Sequence, residues 1–233
     1  MLEKNVTLSF KGCVQGALMC VPVFPGIIAL SAVFGTVAAQ KGLTFVETIL
    51  MNSIVFAGAS QFVAMEVYGD PLNWATLITM VGVTAAVNMR MLLIGASLRP
   101  WLGQVPGYQT YPALFLLTDL NWLLAVARYD KGDRDWGIYL GSGLIVWAVW
   151  SLSVIPGYFA GSLITDSKAF GLDLVLPAFF VALLVPLWKG KRQTVSWLVA
   201  GIVAWATWAL FGGYWSIFTG AIAGALAGAY LDE

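Results

Sequence analysis

The sequence predicts an all-α fold: a polytopic transmembrane helical bundle of about eight spans with broken helices, in a single domain over residues 1–233. Three observations carry this. Hydrophobic residues make up 60% of the chain and charged residues 10%, where soluble domains carry about 25% charge. The apolar residues fall into runs of about 20, the length at which a helix crosses a hydrocarbon core of about 30 Å. The connections between the runs are short, so no soluble domain is inserted.

The first span, 12–39, follows Lys4 and Lys11 and is interrupted by Pro22, Pro25 and Gly26. Its length marks it as a retained span, not a cleaved leader. Gln40-Lys41-Gly42 leads to the second, 45–67, and Gly69-Asp70-Pro71 to the third, 72–97. Residues 100–107 precede a fourth at 109–128, read as one helix with Asp119 in its middle. Residues 129–135 precede a fifth at 136–164, interrupted at Pro156-Gly157. The sixth, seventh and eighth are 170–188, 195–211 and 217–231. The last extends only about 22 Å as a straight helix, so the final pair is either two spans or a short hairpin.

Val23-Phe24-Pro25-Gly26 and Val154-Ile155-Pro156-Gly157 echo one another and raise an internal repeat, since transporters place broken helices at equivalent positions of two halves. With the N-terminus inside, Lys4, Lys11, Arg128, Lys131, Arg134, Lys189, Lys191 and Arg192 are cytoplasmic, against Lys41, Arg99 and Lys168 outside. Positive residues favour the cytoplasmic side, so both termini are expected there. Trp74, Trp101, Trp136, Trp188, Trp197 and Trp215 fall near span ends, where an indole keeps its ring apolar and its N–H wet. Trp147, Trp150, Trp205 and Trp208 fall within spans and are expected to pack.

The net charge is zero and no basic block exists, which leaves a nucleic-acid partner without its electrostatic footprint. The chain has no histidine, so the commonest metal ligand and neutral-pH proton shuttle are missing. No metal and no cofactor are implied. Cys13 and Cys20 are seven positions apart, about 10 Å along one helix, too far for a disulfide.

Polar residues inside spans are costly and mark bundle interiors or water paths. Around Phe24-Pro25-Gly26 the missing proline N–H frees main-chain groups that suit a carboxylate, or the segment is a kink that its neighbours satisfy. Phe56-Ala-Gly58-Ala-Ser60-Gln61 sets small residues beside an amide, as helix packing with Gln61 as interhelical glue or as part of a binding site. Asn88 and Arg90 stand on the span before Asp119. Arg90 and Asp119 form either a fixed ion pair or a site in which Asp119 binds an ammonium or cycles a proton. Glu47 is a second candidate proton carrier, early in its span. Gly220, Gly224 and Gly228 stack on one helix face for close packing, expected within the chain.

In Phe56-Ala-Gly-Ala-Ser-Gln61, Asn88-Met-Arg90, Gly95-Ala-Ser-Leu-Arg-Pro100, Leu117-Thr-Asp119 and Gly171-Leu-Asp173 leading to Pro177-Ala-Phe-Phe180, the chain resembles the AzlC-like permeases. These are the large subunits of two-component branched-chain amino acid exporters. The resemblance covers most of residues 12–190; the last forty match only in hydropathy. Two positions depart from it: Met91 stands where relatives often carry histidine, and Leu120 where they carry an acid. The resemblance implies export of branched-chain amino acids across the bacterial cytoplasmic membrane with a small AzlD-like membrane subunit. A zwitterion needs an anion seat and a cation seat across an apolar pocket. The broken first helix or Arg90 suits the first, Asp119 or Gln61 the second, and Phe24 and Phe56 the wall.

No phosphate-binding Gly-Lys-Ser/Thr loop is present, so the expected mode is secondary transport, drawing on the proton gradient. A membrane-embedded enzyme would need a nucleophile with its base, a metal cluster or a carboxylate dyad, and the buried acids stand singly on different spans. A non-transporting scaffold subunit, or a carrier of another small amphipathic molecule, is the alternative. A scaffold has little use for Arg90 and Asp119 at membrane depth.

Overall fold

The computed structural model describes residues 6–69, 73–163, 181, 188, 190–212 and 215–232. Its regular elements among these are helices, with one bridge pairing Thr7 and Asp135. Residues 168, 70–71, 213 and most of 170–188, with the motif around Asp173, lie outside the described residues. The chain divides into two compact units, Met1–Gly69 with Val87–Thr165 and Asp70–Ala86 with Asp166–Glu233.

In the first unit, the opening span is α1 (Phe10–Met19), a 3-10 turn (Val21–Val23) and α2 (Phe24–Gln40). Ser9 caps α1 by accepting from the Gly12 amide at 2.9 Å. Pro22 and Pro25 each stand second in a helix, within the first turn where the missing N–H is unneeded. They start helices there; the interruption lies just upstream of Pro25-Gly26.

The fifth span is α9 (Gly137–Leu163), helical through Pro156. The expected interruption at Pro156-Gly157 does not occur, because membrane helices tolerate proline where packing re-satisfies the main chain. Gly157 serves packing instead: a Cβ there would run into the Ala32 main chain, and one on Gly161 would lie 2.6 Å from the Thr36 Cα. Gly16 meets Ile138, Gly141 meets Cys13 and Gly35 meets Val154 in the same way. Contacts thus advance together along both segments, from Ser9–Asp135 to Leu43–Tyr158. The α1–α2 segment and α9 run parallel with their main chains touching, as small residues permit.

The second and fourth spans are not single helices. The second is α3 (Phe45–Leu50), a π turn (Met51–Val55), Phe56 in the left-handed region at φ 43°, and α4 (Gly58–Val67). The fourth is α7 (Gly107–Leu114), a tight turn and α8 (Asp119–Asp130). Pro112 lies inside α7, and the amides of Phe115, Leu116 and Leu117 bond carbonyls only three residues back. Thr118 and Asn121 then close a capping box that starts α8. Asp119 is therefore the first residue of a half-helix, not the middle of a whole one.

Between them run α5 (Trp74–Ser97), of 24 residues, and the short α6 (Arg99–Leu102). Trp101 and Trp136 are buried at 1% and 4% exposure in a cluster with Leu98, Leu102, Ala113, Ala125 and Tyr139. Both stand next to the ends of long helices, as expected, and they pack inside the protein, joining α6, α7, α8 and α9.

The second unit contains α10 (Lys191–Phe211) and α11 (Trp215–Asp232). A Cβ on Gly220 or Gly224 would fall 2.8 or 2.7 Å from Ala204 or Ala200, and Gly228 faces Ser196. The glycine face therefore packs antiparallel on α10 of the same chain. α11 has 18 residues, about 27 Å, longer than its apolar run suggested. Trp205 and Trp208 are exposed on α10, against the packing expected of them.

Candidate functional site

Both interruptions fall at mid-span. One separates the halves of residues 45–67 at Phe56-Ala57, the other those of 107–130 at 115–118. They meet: the rings of Phe56 and Phe115 have centroids 6.1 Å apart. Each interruption is followed by a helix N-terminus, that of α4 or of α8, with its unsatisfied amides and positive dipole end.

Each interruption is tied by an amide side chain in the first turn of the half-helix that follows. Gln61 Oε1 accepts from the Ala57 N–H at 3.1 Å, and its Nε2 donates to the Met51 carbonyl at 3.2 Å. Asn121 Oδ1 accepts from the Thr118 N–H at 2.7 Å, and its Nδ2 donates to the Leu116 carbonyl at 2.7 Å. Both residues are buried. Gln61 thus ties its own span across the gap.

The two N-termini differ. Thr118 Oγ1 accepts from the Asn121 amide at 3.3 Å, and the carboxylate of Asp119 sits in the same turn. At α4 the capping position is Ala57, which has no side-chain acceptor. The amides of Gly58, Ala59 and Ser60 find no partner among the described residues.

Helix α5 is bonded to both half-helices. Asn88 Nδ2 donates to Ser60 Oγ at 3.0 Å, and Arg90 pairs with Asp119 at 3.1 Å. Two residues apart on a helix means about 200° of rotation, so α5 presents Asn88 to α4 and Arg90 to α8. The side chains of Arg90 and Asp119 are 45% and 54% exposed. Their charged ends are reachable by a small polar molecule.

Helix α9 backs both interruptions. The Trp150 carbonyl accepts from Asn52 Nδ2 at 3.0 Å and from Ser31, and Trp147 Nε1 donates to the Ser53 carbonyl at 2.9 Å. At the other interruption, a Cβ on Gly143 would lie 2.8 Å from Asn121 Nδ2. An apolar cavity of about 580 Å³ lies beside it, lined by Pro112, Phe115, Leu116, Leu140, Leu144 and Trp147.

Of the residues singled out in the sequence, the structure gathers Phe56, Gly58, Ser60, Gln61, Asn88, Arg90 and Asp119. No described hydrogen bond or ring contact joins Phe24, Pro25, Gly26 or Glu47 to them. Phe24 is half-buried, and Pro25 and Gly26 are exposed in the first turn of α2. Glu47 closes the capping box of α3, its Oε2 accepting from the Thr44 N–H at 2.8 Å and hydroxyl at 2.7 Å. Sequence reasoning missed Asn52, Phe115, Thr118, Asn121, Trp147 and Trp150. Thr118-x-x-Asn121 inside an apolar run was a readable capping signal; nothing comparable pointed to Trp150. Among the described residues no group of three or more His, Cys, Asp or Glu is placed to hold a metal.

Discontinuous helices that meet at mid-span, bridged by a third helix and carrying an ion pair, define a polytopic membrane protein with a polar site inside its apolar length. The chain belongs to the AzlC family: the family's profile, described as AzlC protein, matches residues 22–164. That stretch contains every residue gathered at the site. The chain is 29% identical over 221 residues to the inner membrane protein YgaZ of Escherichia coli, covering 91% of this chain and 87% of that one. It is 27% identical over 199 residues to the branched-chain amino acid transport protein AzlC of Bacillus subtilis, covering 83% and 74%. A membrane protein of Archaeoglobus fulgidus is 29% identical over 223 residues, covering 94% and 93%. No solved structure matches the chain.

Proposed function

We propose that the chain is a secondary transporter that exports branched-chain or similar apolar amino acids across the cytoplasmic membrane. It draws on the proton gradient, acts with a small AzlD-like membrane subunit, and keeps both termini in the cytoplasm. The meeting of the two interrupted spans at Phe56 and Phe115, with Asn88 and Arg90 bonded to the half-helices beyond them, carries this reading. Half-helix ends at membrane depth are how transporters bind charged substrate groups. The name of the Bacillus subtilis relative supports the substrate class, and the parallel run of the α1–α2 segment and α9 fits a first and a fifth crossing in one direction.

In this mechanism Asp119 takes the ammonium group or the proton, and Arg90 holds Asp119 or reads a carboxylate. Gln61, Ser60 and Asn88 fix the half-helix α4. The aliphatic side chain occupies apolar space beside Phe56 and Phe115. Glu47, at the start of α3, is the second proton carrier, and Phe24-Pro25-Gly26 lines the route on the side of α2.

Reconstitution of the chain with and without its small partner, followed by counterflow of labelled leucine and valine, tests the reading. Counterflow is expected in wild type and at most a few per cent of it in Asp119→Ala and Arg90→Ala. Wild-type rates in both variants would remove the site. Absence of counterflow with the partner present would favour a scaffold.

A further inference from the structure

We infer that the second and fourth apolar runs, residues 45–67 and 107–130, do not cross the membrane: each is a re-entrant hairpin that enters and leaves at one face, and the two come from opposite faces to meet at Phe56 and Phe115. This topology goes beyond the transport reading and does not depend on it. Helix α9 supplies the scale along which both runs can be followed. Asp135, just before its start, bonds Ser9, and Tyr158, near its end, donates to the Leu43 carbonyl. These contacts mark a near face and a far face.

Residues 45–67 start at the far face and return to it. The rings of Phe45 and Tyr158 have centroids 5.4 Å apart. Asn52 then donates to the Trp150 carbonyl at 3.0 Å, and the Ser53 carbonyl accepts from Trp147 at 2.9 Å, so this arm descends along α9. After Phe56 the chain turns: Gly58 lies against the Trp150 ring, and Phe62 meets Phe34 with centroids 5.7 Å apart. Gly35, next to Phe34, packs on Val154 and Tyr158, so α4 climbs back toward the far face. Gln61 Nε2 reaches the Met51 carbonyl at 3.2 Å, although the two residues would lie about 15 Å apart on one straight helix.

Residues 107–130 do the same from the near face. Thr110 donates to the Leu102 carbonyl at 3.2 Å, and the ring of Tyr129 lies 5.7 Å from that of Trp101. Adjacent residues therefore hold Thr110 and Tyr129, which would stand about 28 Å apart along one straight run. On the way in, the Ala113 carbonyl accepts from Tyr139; at the turn, Leu116 and Asn121 both face Gly143; on the way out, Ala125 packs with Trp136 and Tyr139.

Helix lengths agree. α4, α7 and α8 have 10, 8 and 12 residues, about 12–18 Å, or half of a core of about 30 Å. The helices long and apolar enough to cross, among the described residues, are Phe10–Gln40, Trp74–Ser97, Gly137–Leu163 and Gln193–Phe211. Non-helical backbone at membrane depth is tolerated where protein buries it, and Asn52, Phe56 and Asn121 are buried. One hairpin leaves at the far face and the next starts at the near one, so α5 crosses between them; the α1–α2 segment and α9 are the first and third crossings, still in one direction. Arg99 comes to the face of Lys11, Arg128, Lys131 and Arg134, opposite Lys41, a charge split that makes the near face cytoplasmic. The groups gathered at the tips are thus held from both sides, Ser60 and Gln61 from the far face and Asp119 from the near one.

Single cysteines in the full chain, in a Cys13→Ala, Cys20→Ala background, test the topology with a membrane-impermeant maleimide applied to intact cells and to inside-out vesicles. The sites are Gln40→Cys, Gly69→Cys, Gln104→Cys and Lys131→Cys; all four positions are exposed, and a Cβ on Gly69 meets nothing within 4 Å. Gln40→Cys and Gly69→Cys are expected to label in intact cells and not in inside-out vesicles, and Gln104→Cys and Lys131→Cys the reverse. If Gly69→Cys labels from the side opposite Gln40→Cys, or Gln104→Cys from the side opposite Lys131→Cys, that run crosses the membrane and the pair of hairpins is wrong. Tyr68→Cys and Pro106→Cys repeat the comparison where a variant does not accumulate. If each pair shares a side but the two sides are exchanged, the hairpins stand and the near face is not cytoplasmic. Labelling needs no transport: failed counterflow with the expected labelling removes the transport reading alone, and the opposite labelling removes the hairpins alone.

Discussion

Replacing Asn121 by leucine, of nearly the same volume but without the amide, tests whether the second interruption is held as described. The substitution removes the bond from the Thr118 N–H and the bond to the Leu116 carbonyl, both 2.7 Å and both on a fully buried side chain. Each main-chain group left unpaired in a buried setting costs about 1–3 kcal/mol. The unfolded chain in a membrane also finds partners, which brings measured side-chain bonds there to about 0.6 kcal/mol on average. For two bonds these bracket the loss at about 1–6 kcal/mol. For a chain of this size about 1 kcal/mol moves the melting temperature by about 2–4 °C. The expected shift in detergent is therefore downward by several degrees, read by intrinsic tryptophan fluorescence, with Leu123→Ala on the exposed face of the same helix as a near-neutral control. A variant as stable as wild type would refute the idea that Asn121 ties the two halves.

Two further perturbations bear on the packing around the site. Gly157→Leu places a side chain into the Ala32 main chain; loss of folded protein in size-exclusion profiles is expected, because neither main chain has a side chain to move aside. Gly58→Ala puts a methyl 3.0 Å from the Trp150 ring and should lower stability by about 1–3 kcal/mol. The same change in a Trp150→Ala background should cost markedly less, a coupling that a double-mutant cycle reads directly.

The membrane character of the chain was legible because it rests on run length and composition alone. The glycine face of α11 was legible too, since a four-residue spacing fixes a helix face whatever its partner. The interruptions were misplaced because proline was taken as the breaking signal. Pro22 and Pro25 sit where helices begin, and α9 continues through Pro156. The interruption at Phe56 has no proline near it: it depends on a π turn and a left-handed residue, held locally by Gln61 and from distant positions by Trp147 and Trp150. Asn88 and Arg90 do lie within the long apolar helix α5, and Ser60 and Gln61 are buried in the first turn of α4. What was not readable was their mutual arrangement, because Ser60 with Asn88 and Phe56 with Phe115 are brought together only by folding.

The contact between the α1–α2 segment and α9 limits what the rest of the molecule can do. Where glycine lets one backbone rest on another, every residue of slippage would bring a side chain into a place built for none, so the two helices are keyed like a rack at fixed teeth. Thr36 Oγ1 to the Gly157 carbonyl, at 2.9 Å, and Tyr158 to the Leu43 carbonyl, at 3.0 Å, pin the same register near the far end. This pair is a rail and not a lever. Within the first unit, the half-helix before Phe56 is joined to that rail through side chains, Asn52 to the Trp150 carbonyl and Trp147 to the Ser53 carbonyl, and not through locked main chains.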